Sequence, residues 1–266
     1  PIRIAKNHEI LDDVLDLVLL NVRVPEERKG DYMAQIAANK LGARRLQELF
    51  TKWTREQISE GCTGIIEAVT RRMRAGIADL PDGRYEFTDV LDDDGMGTTN
   101  IPICVKIDIQ SDEIWLNFEG SASQVAGNMN NSFAGLQASV LFALKVLIDP
   151  DGPTNHGMLD PVHIDAPEAS VVNASFPAAT AARAQTCQRI IDVILGALAP
   201  AVPERVIAAC NGANGVATFS GEGPDGQYYL YMETIGGGAG GRSYQDGSDG
   251  IQAVSYTHLR AHETVV

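Results

Sequence analysis

Asp31, Gln35 and Asn39 recur at i, i+4 and i+8, so a helix over this stretch stacks a carboxylate and two carboxamides on one face. Such a row caps a neighbouring loop, points into a site, or forms a solvated stripe. Ala34, Ile36, Ala37, Ala38 and Leu41 cover most of the remaining surface, which predicts a helix packed into a core. A second polar group, Asn128, Asn130, Asn131 and Ser132, stands just before a predicted helix. There Asn or Ser caps the helix at Phe133, or the carboxamides orient an amide or carbonyl substrate. Asn155 and His156 lie in Pro153–Gly157 (PTNHG), a loop between proline and glycine of the kind that often carries function; a structural role for His156 is the alternative. Thr186, Gln188 and Arg189 share the first turn of a further helix, where Arg189 holds either a carboxylate substituent of a ligand or an acid of its own chain. Cys187 beside them reads as a buried thiol.

Other motifs fail on context. Gly236, Gly238 and Gly241 satisfy G-x-G-x-x-G after a predicted strand, but Arg242–Gly250 is too rich in Gly, Ser and Asp to open the helix a pyrophosphate needs. A tightly turned or flexible loop against a site is the better reading, with Arg242 as an anion contact. No P-loop lysine motif is present. Asp92-Asp93-Asp94-Gly95 read as an EF-hand loop puts Val90 and Ile101 at ligand positions, so it is an acidic turn. His258 and His262 are spaced like a helical zinc pair but lack the glutamate of H-E-x-x-H. His8 is isolated, and His163, in a strand-like run, reads as structural.

Bulk composition narrows the function classes. The 266 residues carry 21 basic and 35 acidic side chains, a formal charge of -14. A surface so acidic, with a pI near 4.7, argues against binding nucleic acid or an anionic membrane, because phosphate recognition needs clustered Lys and Arg. The longest apolar run, near Leu136–Ile148, is short and broken by Lys145, so no membrane span is expected. Cys62, Cys104, Cys187 and Cys210 are scattered without a C-x-x-C pair, which fits a reducing cytoplasm.

The elements that must position these residues form an α+β fold. Residues 1–82 read as helical: Ile10–Val18 after Asn7 as its N-cap, Glu26–Phe50 after Pro25, and a helix toward Ala78. That last helix opens on the capping box Thr54–Gln57, and Gly61 and Gly64 are possible breaks. Residues 83–252 read as mixed hairpins and helices. Strands are expected at Arg84–Leu91, Ile101–Gln110, Glu113–Phe118 and Val162–Ile164, with a tight turn at Gln110-Ser111-Asp112. Helices are expected at Phe133–Leu147 and Gln185–Leu198, and a second hairpin at Val216–Ser220 and Tyr228–Ile235. The end, Val254–Thr264 (VSYTHLRAHET), resembles a translated sequencing-adapter read-through, so 253–266 is expected to be a non-native tail.

Six segments in order carry a family resemblance: residues 21–42, Gly83–Gly95, Phe118–Ser121 with Gly127–Asn130, Pro153–Gly157, Gln188–Ile190 with Asp192, and Gly236–Gly241 ahead of Asp246-Gly247. Together they resemble the hydantoinase B family, the subunit type shared by N-methylhydantoinases, 5-oxoprolinases and the acetone and acetophenone carboxylases. The resemblance implies a hydantoinase A-type partner subunit or domain that binds ATP, and a small cyclic amide of hydantoin or 5-oxoproline type as substrate. A lactam is a poor electrophile, and phosphorylating its oxygen makes attack feasible. The family further implies a divalent metal held by His and Asp motifs near the N-terminus of the B-type subunit. Those motifs are expected upstream of Pro1, making this chain the middle of a larger subunit and inactive alone. Within it, Asp31, Gln35, Asn130, Asn155 and His156 are the candidates to face the substrate or support the groups that do. A ketone carboxylase subunit and a non-catalytic module holding the A-type partner are the alternatives.

Overall fold

Period-two alternation along one strand sets the architecture. Ile101, Ile103, Val105, Ile107 and Ile109 are each 1% exposed or less, while the residues between them face away. The computed structural model describes residues 2–7, 9–212, 215–224 and 226–250. In chain order these form β1 (Ala5–Lys6), β2 (Glu9–Ile10), α1 (Asp12–Leu19), α2 (Pro25–Phe50), α3 (Arg55–Ala78), β3 (Gly83–Asp93), β4 (Thr99–Gln110) and β5 (Glu113–Asn117). There follow α4 (Phe133–Ile148), a 3₁₀ turn at His156–Met158, β6 (Val162–Asp165), α5 (Arg183–Leu198), β7 (Gly215–Glu222) and β8 (Tyr228–Ile235). The α+β reading holds. His8 and the tail 253–266, with His258 and His262, lie outside the described residues. No described helix is long and apolar enough to cross a membrane.

The chain divides into two units, Pro1–Gly64 with Ala217–Glu233, and Ile65–Val216 with Thr234–Val266. In the first, β1 and β2 pair antiparallel, and Asn7 sits between them at φ 52°. Asn7 is therefore not the cap of α1, which begins later and has Leu11 at its N-cap without a side-chain bond. Asn tolerates the left-handed region a tight turn requires, and here that preference outweighs its capping preference. Pro25 opens α2 as expected. The expected packing of α2 into a core is not found: none of its residues is buried. Its small apolar residues are interspersed with charges around the helix, and its larger ones, from Tyr32, Met33 and Ile36 to Leu49 and Phe50, are at most half-buried. The capping box is present, with Gln57 N–H donating to Thr54 Oγ1 at 3.2 Å and Thr54 N–H to Gln57 Oε1 at 3.0 Å. From this start α3 runs unbroken through Gly61 and Gly64.

In the second unit the sheet order is β3-β4-β5-β6. The first three strands form an antiparallel meander, with only Ser111-Asp112 between β4 and β5 and Ser111 at φ 58°. β6 pairs parallel to β5 and is reached through α4, a βαβ crossover. α5 lies against β3 and β4, and α4 packs on α5. Val69, Met73 and Ile77 of α3, Leu136, Val140 and Leu144 of α4, and Ile190, Ile194 and Leu198 of α5 join the strand residues in one core. Charges tie α3 into place. Arg72 forks onto Asp149 at 2.6 and 2.5 Å, and Arg74 reaches Asp112 at 3.1 Å and Glu113 at 3.0 Å. His163 has the expected structural setting: it pairs with Trp115 across β5–β6, stacks on its ring at 4.8 Å, and meets Glu113 at 3.1 Å. Arg74, and after it His163, hold the Glu113 carboxyl below the usual carboxylate range.

Ile107 is fully buried in this core. Ile107→Ala is expected to cost about 2–5 kcal/mol of unfolding free energy, read as a lowered urea midpoint with an unchanged slope.

Candidate functional site

The asparagine-rich segment after β5 is an organised loop whose side chains replace missing backbone partners. Asn130 is fully buried. Its Oδ1 accepts from Val125 N–H at 2.8 Å, and its Nδ2 faces the carbonyls of Val125, Gly127 and Ala179 at 2.9 to 3.0 Å. Asp94, 6% exposed, accepts from the N–H groups of Met96 and Thr98 at 2.9 Å and of Gly127 at 3.1 Å. Burial pushes the Asp94 carboxyl up, but these amide donors outweigh it and hold it below the ordinary range. This turn is closed by its own backbone, as expected of an acidic turn. Ser132 caps α4 by accepting from Gly135 N–H at 3.3 Å. Asn131, also fully buried, donates through its main chain to Val171 O at 2.8 Å and through Nδ2 to Cys187 Sγ at 3.4 Å.

A partly buried charge cluster joins α5 to β3. The Arg189 guanidinium bonds Asp89 of β3 and lies 3.7 Å from Asp192 one turn along its own helix. The side chains of Arg189 and Asp192 are 18% and 8% exposed. Arg189 therefore holds an acid of its own chain. Burial raises the Asp192 carboxyl above its usual range; Arg189 opposes this, Asp89 adds to it, and the Cys210 thiol, 3.9 Å away, donates to the other oxygen. Two carboxylates share one cation, and Asp192 Oδ2 and Arg189 Nε have no hydrogen-bond partner among the described residues. Gly212, at φ +66°, closes over the cluster: a Cβ there would lie 2.7 Å from Arg189 Nη2.

The glycine run backs this closure. Among the described residues no helix follows β8, so the dinucleotide reading fails in structure for the reason given by sequence. Instead the run turns tightly against the chain before β7, with Ala208 N–H donating to Gly241 O at 2.8 Å and Asn211 N–H to Gly238 O at 3.2 Å. A Cβ on Gly240 would overlap the Ala208 carbonyl. Arg242 is exposed and reaches the Tyr244 hydroxyl at 3.2 Å.

The expected site residues fall in separate places. Asp31 and Gln35 lie in the first unit on the exposed surface of α2, and Asp31 pairs with Arg28 at 2.7 Å. Asn130, Asn155 and His156 lie in the second unit. Asn155 Oδ1 accepts from Gly157 N–H at 2.9 Å and its Nδ2 faces Ile65 O at 3.4 Å, which seats the PTNHG loop on α3. That turn presents His156 exposed; its carbonyl accepts from Leu159 N–H at 2.9 Å, and its imidazole has no hydrogen bond or ion pair among the described residues. Asn130 is committed to main-chain groups, and no hydrogen bond joins it to Asn155. Among the described residues no three His, Cys, Asp or Glu side chains converge to hold a metal ion.

A family model described as hydantoinase B/oxoprolinase matches residues 1–264. The chain belongs to this family. An uncharacterized protein of Methanocaldococcus jannaschii is 35% identical over 90% of this chain and 41% of its own length. The caprolactamase subunit beta of Pseudomonas jessenii is 31% identical over 93% of this chain and 43% of its own. The crystal structure of an ATP-dependent caprolactamase from Pseudomonas jessenii superimposes with a TM-score of 0.82 at 28% identity, covering 94% of this chain and 44% of that one. This chain thus spans about two fifths of the length of these two relatives.

For a member of the hydantoinase B/oxoprolinase family, the segments carrying the resemblance meet in a few places. Gly83–Gly95 supplies Asp89 to Arg189 and Asp94 to Gly127, and the Gly236–Gly241 run supports the chain that carries Cys210 and Gly212. Asp89 and Cys210 are not evident from sequence. The one available signal was that an acid and the Arg189 it pairs with both lie inside such segments.

Two outcomes are expected. Gly127→Ala, whose Cβ would overlap the Asp94 carbonyl oxygen, should cost about 1–3 kcal/mol in urea unfolding. Arg189→Met leaves Asp192 buried without its cation and should cost about 3–5 kcal/mol at pH 7. Because the folded Asp192 value is raised, ionisation of this group opposes folding at neutral pH. Stability is regained as pH falls through that value, completely so below the unfolded value of about 4. The Arg189→Met deficit should therefore be smaller at pH 5 than at pH 7, and an equal deficit would remove Asp192 from the explanation.

Proposed function

We propose that the parent protein is an ATP-dependent amidohydrolase opening a small cyclic amide, and that this chain is part of its B-type component. The observation carrying the proposal is the likeness, over nearly the whole chain, to an ATP-dependent caprolactamase. A cyclic amide resists water because its carbonyl carbon is poorly electrophilic. ATP on an A-type partner subunit or domain would activate the amide oxygen, and the B-type part would hold the ring and manage protons. A beta-subunit relative supports the existence of such a partner.

His156 is the proton-handling group we propose within this chain. Its imidazole is exposed and unbonded among the described residues, on a turn fixed from below by Asn155. Such a ring can take a proton from an attacking oxygen or return one to the leaving nitrogen. Asp31 and Gln35 are proposed to face the substrate with the polar edge of α2. Asn130 acts indirectly, by fixing the loop that precedes α4. The side chains described do not fit the family's divalent metal, so its ligands are proposed to belong to other parts of the parent protein.

The test reconstitutes the full-length parent with its A-type partner and follows ADP release with caprolactam, 5-oxoproline, hydantoin, or acetone with bicarbonate. Release stimulated by a cyclic amide is the expected result. Stimulation by the ketone alone makes the parent a carboxylase, and no stimulation by any of them makes this part a scaffold. His156→Ala should lower kcat by about 10²-fold or more with the melting temperature unchanged. Unaltered turnover in Asp31→Asn would remove α2 from the site.

A further inference from the structure

We infer that the apolar surface of the first unit is interior surface of the parent protein, covered by the remainder of its own polypeptide. Among the described residues of Pro1–Gly64 and Ala217–Glu233, Leu15 is the one buried hydrophobic side chain. A unit of this size holds its shape by burying a core, and one leucine is far too little to offset chain entropy. The missing contacts have a definite place. Leu46, Leu49, Phe50 and Trp53 follow at i, i+3, i+4 and i+7, and Trp53 N–H continues the helical pattern by donating to Leu49 O at 3.0 Å. They form one stripe, with exposures of 39% to 56%. In the same unit β7 and β8 make a two-stranded sheet with large residues open on both faces. Tyr231 is 52% and its neighbour Met232 58% exposed, and their side chains point to opposite sides. An isolated two-stranded sheet in water is marginal at best.

The occupant is the same polypeptide, for two reasons. The chain superimposes over 94% of its length, with a TM-score of 0.82, on a caprolactamase chain of which more than half lies outside the match. A unit with almost no core of its own depends on its cover to fold, and a cover on the same polypeptide is present at high effective concentration whatever the protein concentration. The alternating aromatic and aliphatic groups suit an apolar cover, and patches of this kind are rare on free surfaces.

The test is hydroxyl-radical footprinting of the full-length parent protein, without its A-type partner and diluted until light scattering gives a monomer. Phe50, Trp53, Tyr231 and Met232 should be oxidised about tenfold more slowly than the free amino acids, and Met232 as slowly as the core residue Met158. Labelling at exposed rates in the monomer overturns the inference. Protection appearing only on concentration assigns the surface to a second copy, and protection only on adding the A-type protein assigns it to that partner; either result also overturns it. As a check by substitution, Met232→Lys should lower the melting temperature of the monomer, and an unchanged value counts against burial. None of these readouts depends on which substrate the enzyme opens.

Discussion

One guanidinium shared between two carboxylates organises much of the second unit. Arg189 stands on a helix whose other side is packed into the core, and two carboxylates hold its partly buried guanidinium. It fixes β3 through Asp89, fixes Asp192 on its own helix, and sets the floor over which Gly212 passes. The chain on that floor receives the glycine run, so the position of the run depends on an ion pair it never touches. The arrangement is unbalanced: among the described residues the second acid has no cation of its own. Burial answers that imbalance by raising the Asp192 carboxyl above its usual range, against the pull of Arg189.

Around this cluster the fold relies on side chains that imitate backbone. Asn130 is an example of full use, its single carboxamide serving four main-chain groups on two stretches of chain. Asp94 does the same with three amide donors. Loops without regular structure can be buried only when their polar groups are met in this way. The result is a rigid irregular segment between β5 and α4, where a searching eye would otherwise expect flexibility.

How legible was this from residues alone? Local rules were readable because they act over a few positions. The capping box at Thr54, the cap at Ser132, the two-residue turn at Ser111 and the alternation of β4 each appear where spacing puts them. The failures are also local preferences, overridden by context. Asn7 has two uses, cap and left-handed turn, and the pairing of β1 with β2 selects the second. Gly61 and Gly64 weaken a helix, but Val69, Met73 and Ile77 anchor it from one end. The burial of α2 was misjudged because apolar content says how much surface seeks cover and not where that cover is. The charge cluster was hidden for a different reason: Asp89 and Arg189 are a hundred residues apart, and only the docking of α5 on β3 brings them together.

The parallel strand β6 has a consequence for the order in which the chain closes. β3, β4 and β5 form a meander of neighbours and can pair as soon as they are synthesised. β6 joins β5 only after the whole crossover through α4 has been laid down, a closure spanning Ile114 to Val162. Long closures carry a larger entropic cost and come late. The Asn130 loop lies inside that crossover, and its partner at Ala179 lies beyond it. The polar architecture of this molecule is thus expected to be the last thing to set, on a meander already in place, and a ribosome that pauses before Val162 would hold a sheet with its chemistry still unassembled.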